Sequence, residues 1–154
     1  MKPLFTEKQR FNQWWIWLLL AVSSIAPIIV LYREYINRSS FQNIRLSSFI
    51  VLFLVFLLLV ILRLKTTITS KSIHLAYFPF VWKTINLADI ETMKVVNYGF
   101  VGGWGIRFWT SYGTVYNVRG NKGLHIKLKN GKQLVIGTQK TQELEKVVEQ
   151  LNIK

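Results

Sequence analysis

The hydrophobic positions of the chain fall into two long uninterrupted runs, followed by short alternating ones. Residues 14–32 and 46–62 contain no charged side chain over 19 and 17 positions, respectively. Helices of these lengths span about 26–29 Å, close to the ~30 Å hydrocarbon core of a bilayer. The residues that follow, about ninety, are too few to cover two helices that are apolar on every side. The pattern therefore predicts a transmembrane helical hairpin over residues 14–64, with spans at about 14–32 and 46–62.

The alternative for the first run is a cleaved signal sequence, because basic residues precede it and Ser24-Ile25-Ala26 resembles a cleavage site. The apolar run continues past that site to Leu31, which favours a retained anchor. Two crossings place both chain ends on one side of the membrane. Six Lys and Arg flank the spans on that side, against three in the connecting segment, which favours cytoplasmic termini. We therefore expect an integral inner (cytoplasmic) membrane protein in which residues 1–13 are a cytoplasmic N-terminal tail.

From Lys65 onward the apolar residues follow the period of β-strands. Residues 123–129 alternate between apolar and polar side chains, and Asn130-Gly131 is a strong signal for a tight hairpin turn. Near the end of the chain the period becomes helical, with apolar residues at i, i+3, i+4 and i+7 from Leu144. Residues 65–154 are therefore predicted to form an all-β barrel of about seven strands, capped by a C-terminal amphipathic helix.

Composition narrows the class of protein. The chain of 154 residues has no cysteine, which excludes disulfide scaffolds and thiolate metal sites. Its formal charge of +13 coexists with 51% hydrophobic residues, which are densest in the two uncharged runs before residue 63. A simple soluble globule does not fit this segregation.

The sequence offers little support for catalysis. His74 and His125 each lie in a predicted strand with no acid or nucleophile at useful spacing. The glycines of residues 99–105 lack a following Gly-Lys-Ser/Thr and precede a strand, so they favour a tight turn or bulge over a phosphate-binding loop. We expect no enzymatic activity, catalytic residue, metal or cofactor. An enzyme would need a pocket in which one of the two histidines meets an acid.

Two candidate surfaces remain. Ninety residues cannot bury all the rings between residues 98 and 116, so some of them are expected to be exposed as a partner surface; the candidates are Tyr98, Phe100, Trp104, Trp109, Tyr112 and Tyr116, with Phe108 in the same run. Basic residues that reach an anionic membrane surface gain about 1 kcal/mol each; the candidates for this contact are Arg119, Lys122, Lys127, Lys129 and Lys132. An acidic protein partner or a merely solvated face also fits these cations, whereas no motif indicates nucleic acid.

Several short motifs, together with the order of strands and terminal helix, resemble the bacterial pleckstrin-homology-like families over residues 64–153. These motifs are Asp89-Ile90, Gly103-Trp104-Gly105-Ile106-Arg107, Val118-Arg119-Gly120, Gly123-Leu124, Asn130-Gly131-Lys132 and Ile136-Gly137-Thr138. The resemblance implies a PH-like barrel behind membrane helices, acting as a binding or scaffolding module. The leading hypothesis is an accessory or scaffolding subunit that docks a membrane protein partner. The alternative is a module that binds anionic lipid headgroups at the inner membrane surface.

Overall fold

The computed structural model describes residues 2–36 and 46–151, which form two compact units. The helical unit is Phe11–Ile61, and the β unit combines the residues up to Arg10 with those from Leu62 onward. The predicted connection between the spans falls largely on residues 37–45, outside the described residues. The described elements are β1 (Phe5–Arg10), α1 (Trp14–Ile36), α2 (Leu46–Ile61), β2 (Arg63–Ile68), β3 (Ser72–Phe78), β4 (Val81–Asn86), β5 (Ile90–Asn97), β6 (Gly105–Thr110), β7 (Gly113–Asn117), β8 (Lys122–Leu128), β9 (Gln133–Gly137) and α3 (Thr141–Leu151).

The helical unit contains two apolar helices of unequal length. Within α1, the 20 residues Trp14–Arg33 are long and apolar enough to cross a membrane, and their side chains are not buried. The apolar part of α2, Phe49–Ile61, is shorter. The rings of Trp17 and Phe56 meet edge to face at 5.8 Å, so α1 and α2 contact each other. Both predicted spans are helical, but of the two described helices only α1 has the length of a membrane span.

The first sheet of the β unit has the strand order β1-β2-β3-β4, and all its pairs are antiparallel. Strand β1 lies within residues 1–13, where the sequence indicated a tail. Its inward side chains are Phe5, Glu7 and Gln9, and the intervening ones are exposed. Because two of the three inward side chains are polar, the hydrophobic pattern gave no sign of this strand.

The second sheet has the order β5-β8-β9-β7-β6, with β7 and β9 parallel and the other pairs antiparallel. Helix α3 packs against β5, β1 and β8 and buries Leu144 and Val147. From β2 onward the described residues contain eight strands, where the sequence predicted about seven. The predicted C-terminal amphipathic helix is confirmed.

Candidate binding surfaces

One end of the β unit is joined to the helical unit by two chain connections. Arg10, the last residue of β1, and Arg63, the first of β2, are paired across the first sheet. Phe78, the last residue of β3, is in turn paired with Arg63. We call this the attached end. The opposite end, where Ser72 is paired with Asn86, is the far end.

Hydrogen bonds between the sheets assign the strand ends of the second sheet to one end or the other. Gln9 Nε2 donates to the Gly137 carbonyl at 2.7 Å, and Tyr77 Oη donates to the Asn117 carbonyl at 3.3 Å. The ends of β7 and β9 that carry Asn117 and Gly137 therefore lie at the attached end. The β8–β9 turn lies at the far end, where the Lys129 amide donates to the Asp89 carbonyl at 3.0 Å.

The glycine-rich segment between β5 and β6 is held at the attached end by the side chain of Asn117. Asn117 is 1% exposed. Its Oδ1 accepts from the Gly105 amide at 3.0 Å, and its Nδ2 donates to Tyr98 Oη at 3.2 Å. Gly103, with φ +115°, adopts a backbone conformation that favours glycine. A cavity of about 360 Å³ beside this segment is bordered by Asn117. The segment thus forms a turn fixed by a buried amide.

The hydroxyls of the two tyrosines beside this segment are partly withdrawn from water. Tyr98 Oη donates to the Gly120 carbonyl at 3.2 Å. Burial raises the pKa of Tyr98, against a smaller lowering from its hydrogen bond with Asn117. Burial likewise raises the pKa of Tyr77, and the nearby Arg107 charge opposes that rise. Both hydroxyls therefore act as neutral structural donors at ordinary pH.

The six aromatic candidates divide into core residues and exposed residues. Tyr98 and Tyr116 are buried. Tyr112 is partly buried and contacts the His125 ring edge to face at 5.4 Å. The exposed candidates are Phe100, 87% exposed, Trp104, 37% exposed, and Trp109, 98% exposed. Phe100 and Trp104 lie in the segment at the attached end, whereas Trp109 lies on β6 beside the exposed Phe108.

A groove of about 810 Å³ separates the two sheets on the side of β6. Its walls come from β4, β6, β7, the end of β8, β9 and the β8–β9 turn, and its aromatic residues are Trp82, Phe108 and Trp109. Among the strands that the structure describes, β4 and β6 are each the last strand of their sheet, and both border the groove. Trp109 has φ +55° and lies where the pairing of β6 with β7 shifts register, between Arg107 and Thr110.

Two exposed aromatic residues were missed by the sequence analysis. Phe80 lies in the β3–β4 turn at the attached end, and Trp82 lies on β4. The available signal was the run from Phe78 to Trp82, which places three large rings within five residues at a strand end and turn.

The five basic candidates do not form one patch. Arg119 and Lys122 lie at the attached end, since the Lys122 carbonyl accepts from the Thr138 amide at 3.0 Å, next to Gly137. The other three, Lys127, Lys129 and Lys132, lie at or just beyond the opposite end of β8. The seven residues of this strand extend about 20 Å, which separates the two groups of cations. There Lys127 forms an ion pair with Glu91 at 2.8 Å, and Lys129 and Lys132 flank the far-end turn.

The two histidines make polar contacts of an ordinary kind. His74 contacts the hydroxyls of Ser72 and Thr84 at 2.9 and 3.0 Å. His125 contacts the Gln133 amide oxygen at 3.1 Å. Within residues 2–36 and 46–151, no group of His, Asp and Glu has the arrangement of a metal site.

Comparisons of the chain with protein-family models, curated proteins and solved structures found no match.

Proposed function

We propose that this chain is a non-enzymatic, membrane-anchored accessory or scaffolding subunit, with a PH-like barrel that docks an extended segment of a membrane protein partner. The observation that carries the proposal is the groove bordered by β4 and β6, the last described strand of each sheet, together with the exposed aromatic rings that line it. The partner segment adds as a strand beside β4 or β6.

The connectivity of β1 and β2 supports the membrane hairpin. Because Arg10 and Arg63 are paired, the helical unit leaves the β unit and returns to it at the same end of one sheet. A segment of this kind crosses a membrane an even number of times. The 16 residues of α2 extend about 24 Å, and local thinning of the bilayer accommodates a short span.

The same connectivity argues against a cleaved signal sequence. Cleavage after Ala26, within α1, would remove β1 with its buried Phe5 and Glu7. Glu7 accepts hydrogen bonds from Thr138 Oγ1 at 2.6 Å and from the Gln139 amide at 2.8 Å, at the opposite end of the sequence. A retained hairpin keeps these contacts, and the excess of basic residues around the β unit favours its location in the cytoplasm.

The PH-like assignment is supported by two sheets followed by a C-terminal helix that packs on both of them. This chain departs from a simple anchor-then-barrel layout because its hairpin is inserted after β1. The inferred barrel therefore has one strand before the membrane segment and eight after it.

The groove favours polypeptide over other ligands. An unpaired strand edge offers a row of backbone donors and acceptors that an added strand can satisfy. Alternate side chains of such a strand would pack against Phe108 and Trp109, and aromatic rings contribute much of the energy of such contacts. Lys83 and Lys132 also border the groove, so an acidic residue in the partner segment is favoured.

Photo-crosslinking in native membranes tests this docking site. A benzophenone amino acid at position 108 replaces one aromatic side chain by another inside the groove. We expect a discrete adduct with one membrane protein, lost when Trp109→Ala is added and retained when Phe100→Ala is added instead. Phe100→Ala is the matched control because it removes an equally exposed ring outside the groove. An adduct that persists with Trp109→Ala, or crosslinking to lipid alone, would contradict the proposal.

The alternative function, binding of anionic lipid headgroups, is favoured by Arg119 and Lys122 only. Both lie at the end of the β unit that is joined to the helices. Lys127, Lys129 and Lys132 lie at the far end, and Lys127 is already paired with Glu91.

A further inference from the structure

Two exposed phenylalanines at the attached end lie apart from the groove. Phe80 is 56% exposed and Phe100 is 87% exposed. We propose that the attached end is a bilayer-contact surface, at which both rings enter the interfacial layer and Arg119 and Lys122 contact anionic headgroups. The proposal rests on the membrane anchorage described under the proposed function, but not on the docking groove.

Chain connectivity holds the attached end close to the membrane. Trp14, where α1 begins, is four positions after Arg10, and Arg63 is two positions after Ile61, where α2 ends. At most ~3.6 Å per residue, these connections reach about 14 Å and 7 Å. Since they leave from paired residues of neighbouring strands, both connections hold the same end of the sheet. If the helices span the bilayer, this end of the β unit lies at its surface.

The turn that carries Phe80 is firmly supported. The Phe80 amide donates to the Tyr77 carbonyl at 2.8 Å. Beneath it, the Phe78 ring lies 5.0 Å from the Arg63 guanidinium carbon and 6.0 Å from the Trp82 ring. A ring on such a turn loses little conformational freedom when it enters the interface, and preorganised contacts of this kind cost less entropy.

Phe100 is presented by the turn that Asn117 fixes. The neighbouring Arg119 has its carbonyl bound by Gln139 Nε2 at 2.6 Å, while its side chain is exposed. Burial of a phenylalanine ring in an apolar environment is favourable, and so is the approach of a cation to an anionic surface. The two rings and two cations together are enough to orient a domain that is already tethered.

This orientation also gives the groove a direction. Strand β4 starts at the attached end, where Val81 is paired with Tyr77, and ends at the far end with Asn86. The groove follows β4 from Trp82 to the β8–β9 turn. A segment that emerges from the membrane would therefore enter the groove at Trp82 and run away from the bilayer.

Single spin labels test the bilayer contact, and the absence of cysteine makes each introduced cysteine unique. Full-length protein with Phe80→Cys or Phe100→Cys is labelled and reconstituted in phosphatidylcholine vesicles with or without phosphatidylglycerol. The controls are Phe108→Cys, in the groove, and Lys129→Cys, at the far end. The measurement is the accessibility of each label to oxygen and to a water-soluble nickel complex.

We expect labels at 80 and 100 to show a several-fold higher ratio of oxygen to nickel accessibility than labels at 108 and 129. Phosphatidylglycerol should increase that ratio, and Arg119→Ala with Lys122→Ala should remove the increase. If the protein resists alkaline carbonate extraction but all four labels are equally accessible to water, the bilayer contact is overturned and the membrane anchorage is not. Release of the protein by carbonate would overturn the membrane anchorage, and this proposal with it.

Discussion

The β unit carries two pairs of exposed aromatic rings, one pair on turns and the other pair on an edge strand. Phe80 and Phe100 lie in turns at the attached end, which are held by hydrogen bonds from the amides of Phe80 and Gly105 within the β unit. Phe108 and Trp109 lie on the edge strand β6, where its pairing shifts register, and they border the groove together with the edge strand β4. An exposed ring on a turn can enter lipid without pairing its backbone to a partner strand, whereas a ring on an edge strand lies beside a backbone that can pair with an added polypeptide strand. Exposure alone therefore does not identify the partner of an aromatic side chain.

The largest expected effect comes from removing β1, on which both pairs of rings depend. Because Arg10 and Arg63 are paired, an Asn-Gly turn can join residues 2–10 directly to residues 63–154. We expect this joined protein to unfold in one cooperative thermal transition, measured by circular dichroism. Residues 63–154 alone should lack a transition, because they lose the burial of Phe5 and the contacts of Glu7 and Gln9, while domains have only about 5–15 kcal/mol of stability. A transition at the same temperature in both proteins would show that β1 is dispensable.

Part of the fold was predictable because its signal is local. Strands β2 and β3 bury alternate side chains, and helix α3 buries Leu144 and Val147, three residues apart, so the positions of these elements followed from the sequence. Strand β1 did not, because Glu7 and Gln9 face inward to partners more than a hundred residues away. Nothing near these two residues indicates that Thr138 and Gly137 will meet them.

The candidate surfaces were predictable in composition but not in arrangement. The number of rings implied that some are exposed, but which ones are exposed depends on tertiary contacts, such as the hydrogen bonds that bury Tyr98. The cations near β8 looked like one cluster along the sequence, but the strand extends about 20 Å and separates Lys122 from Lys129. Exposure of Phe80 depends on where the β3–β4 turn lies.

A smaller effect is expected from Asn117→Ala, and it should be confined to the segment that carries Phe100. The change leaves the partly buried amide of Gly105 without its acceptor and Tyr98 Oη without a donor, which costs about 1–3 kcal/mol of unfolding free energy. Hydrogen exchange should become faster in residues 99–105 but not in the β8–β9 hairpin.

The matched control for this prediction is Asn121→Ala, because Asn121 borders the same cavity but is exposed. It should leave both the unfolding free energy and the exchange rates nearly unchanged. In the bilayer experiment, Asn117→Ala should weaken the contact of a label at position 100 while crosslinking from position 108 persists. Equal loss at both positions would mean that the two pairs of rings are not independent.

The smallest expected effect concerns the backbone of Trp109. An L-residue in the left-handed region costs about 1–2 kcal/mol, and glycine avoids this cost but loses about 0.5–1 kcal/mol through its freedom in the unfolded chain. Since Trp109 has φ +55° and is 98% exposed, its ring adds little burial to offset the strain. We therefore expect Trp109→Gly to raise the unfolding free energy by about 0.5–1 kcal/mol, measured by urea denaturation of the joined protein.

Phe108→Gly is the matched control, because Phe108 is exposed on the same strand but does not share the positive φ. There glycine should lower the unfolding free energy by about 0.5–1 kcal/mol, the opposite sign. If Trp109→Gly stabilises the domain but abolishes crosslinking from the groove, the tryptophan at this strained, exposed position serves binding and not folding. If both glycine variants are destabilised equally, Trp109 contributes to the fold, and its exposure no longer favours the groove as the docking site.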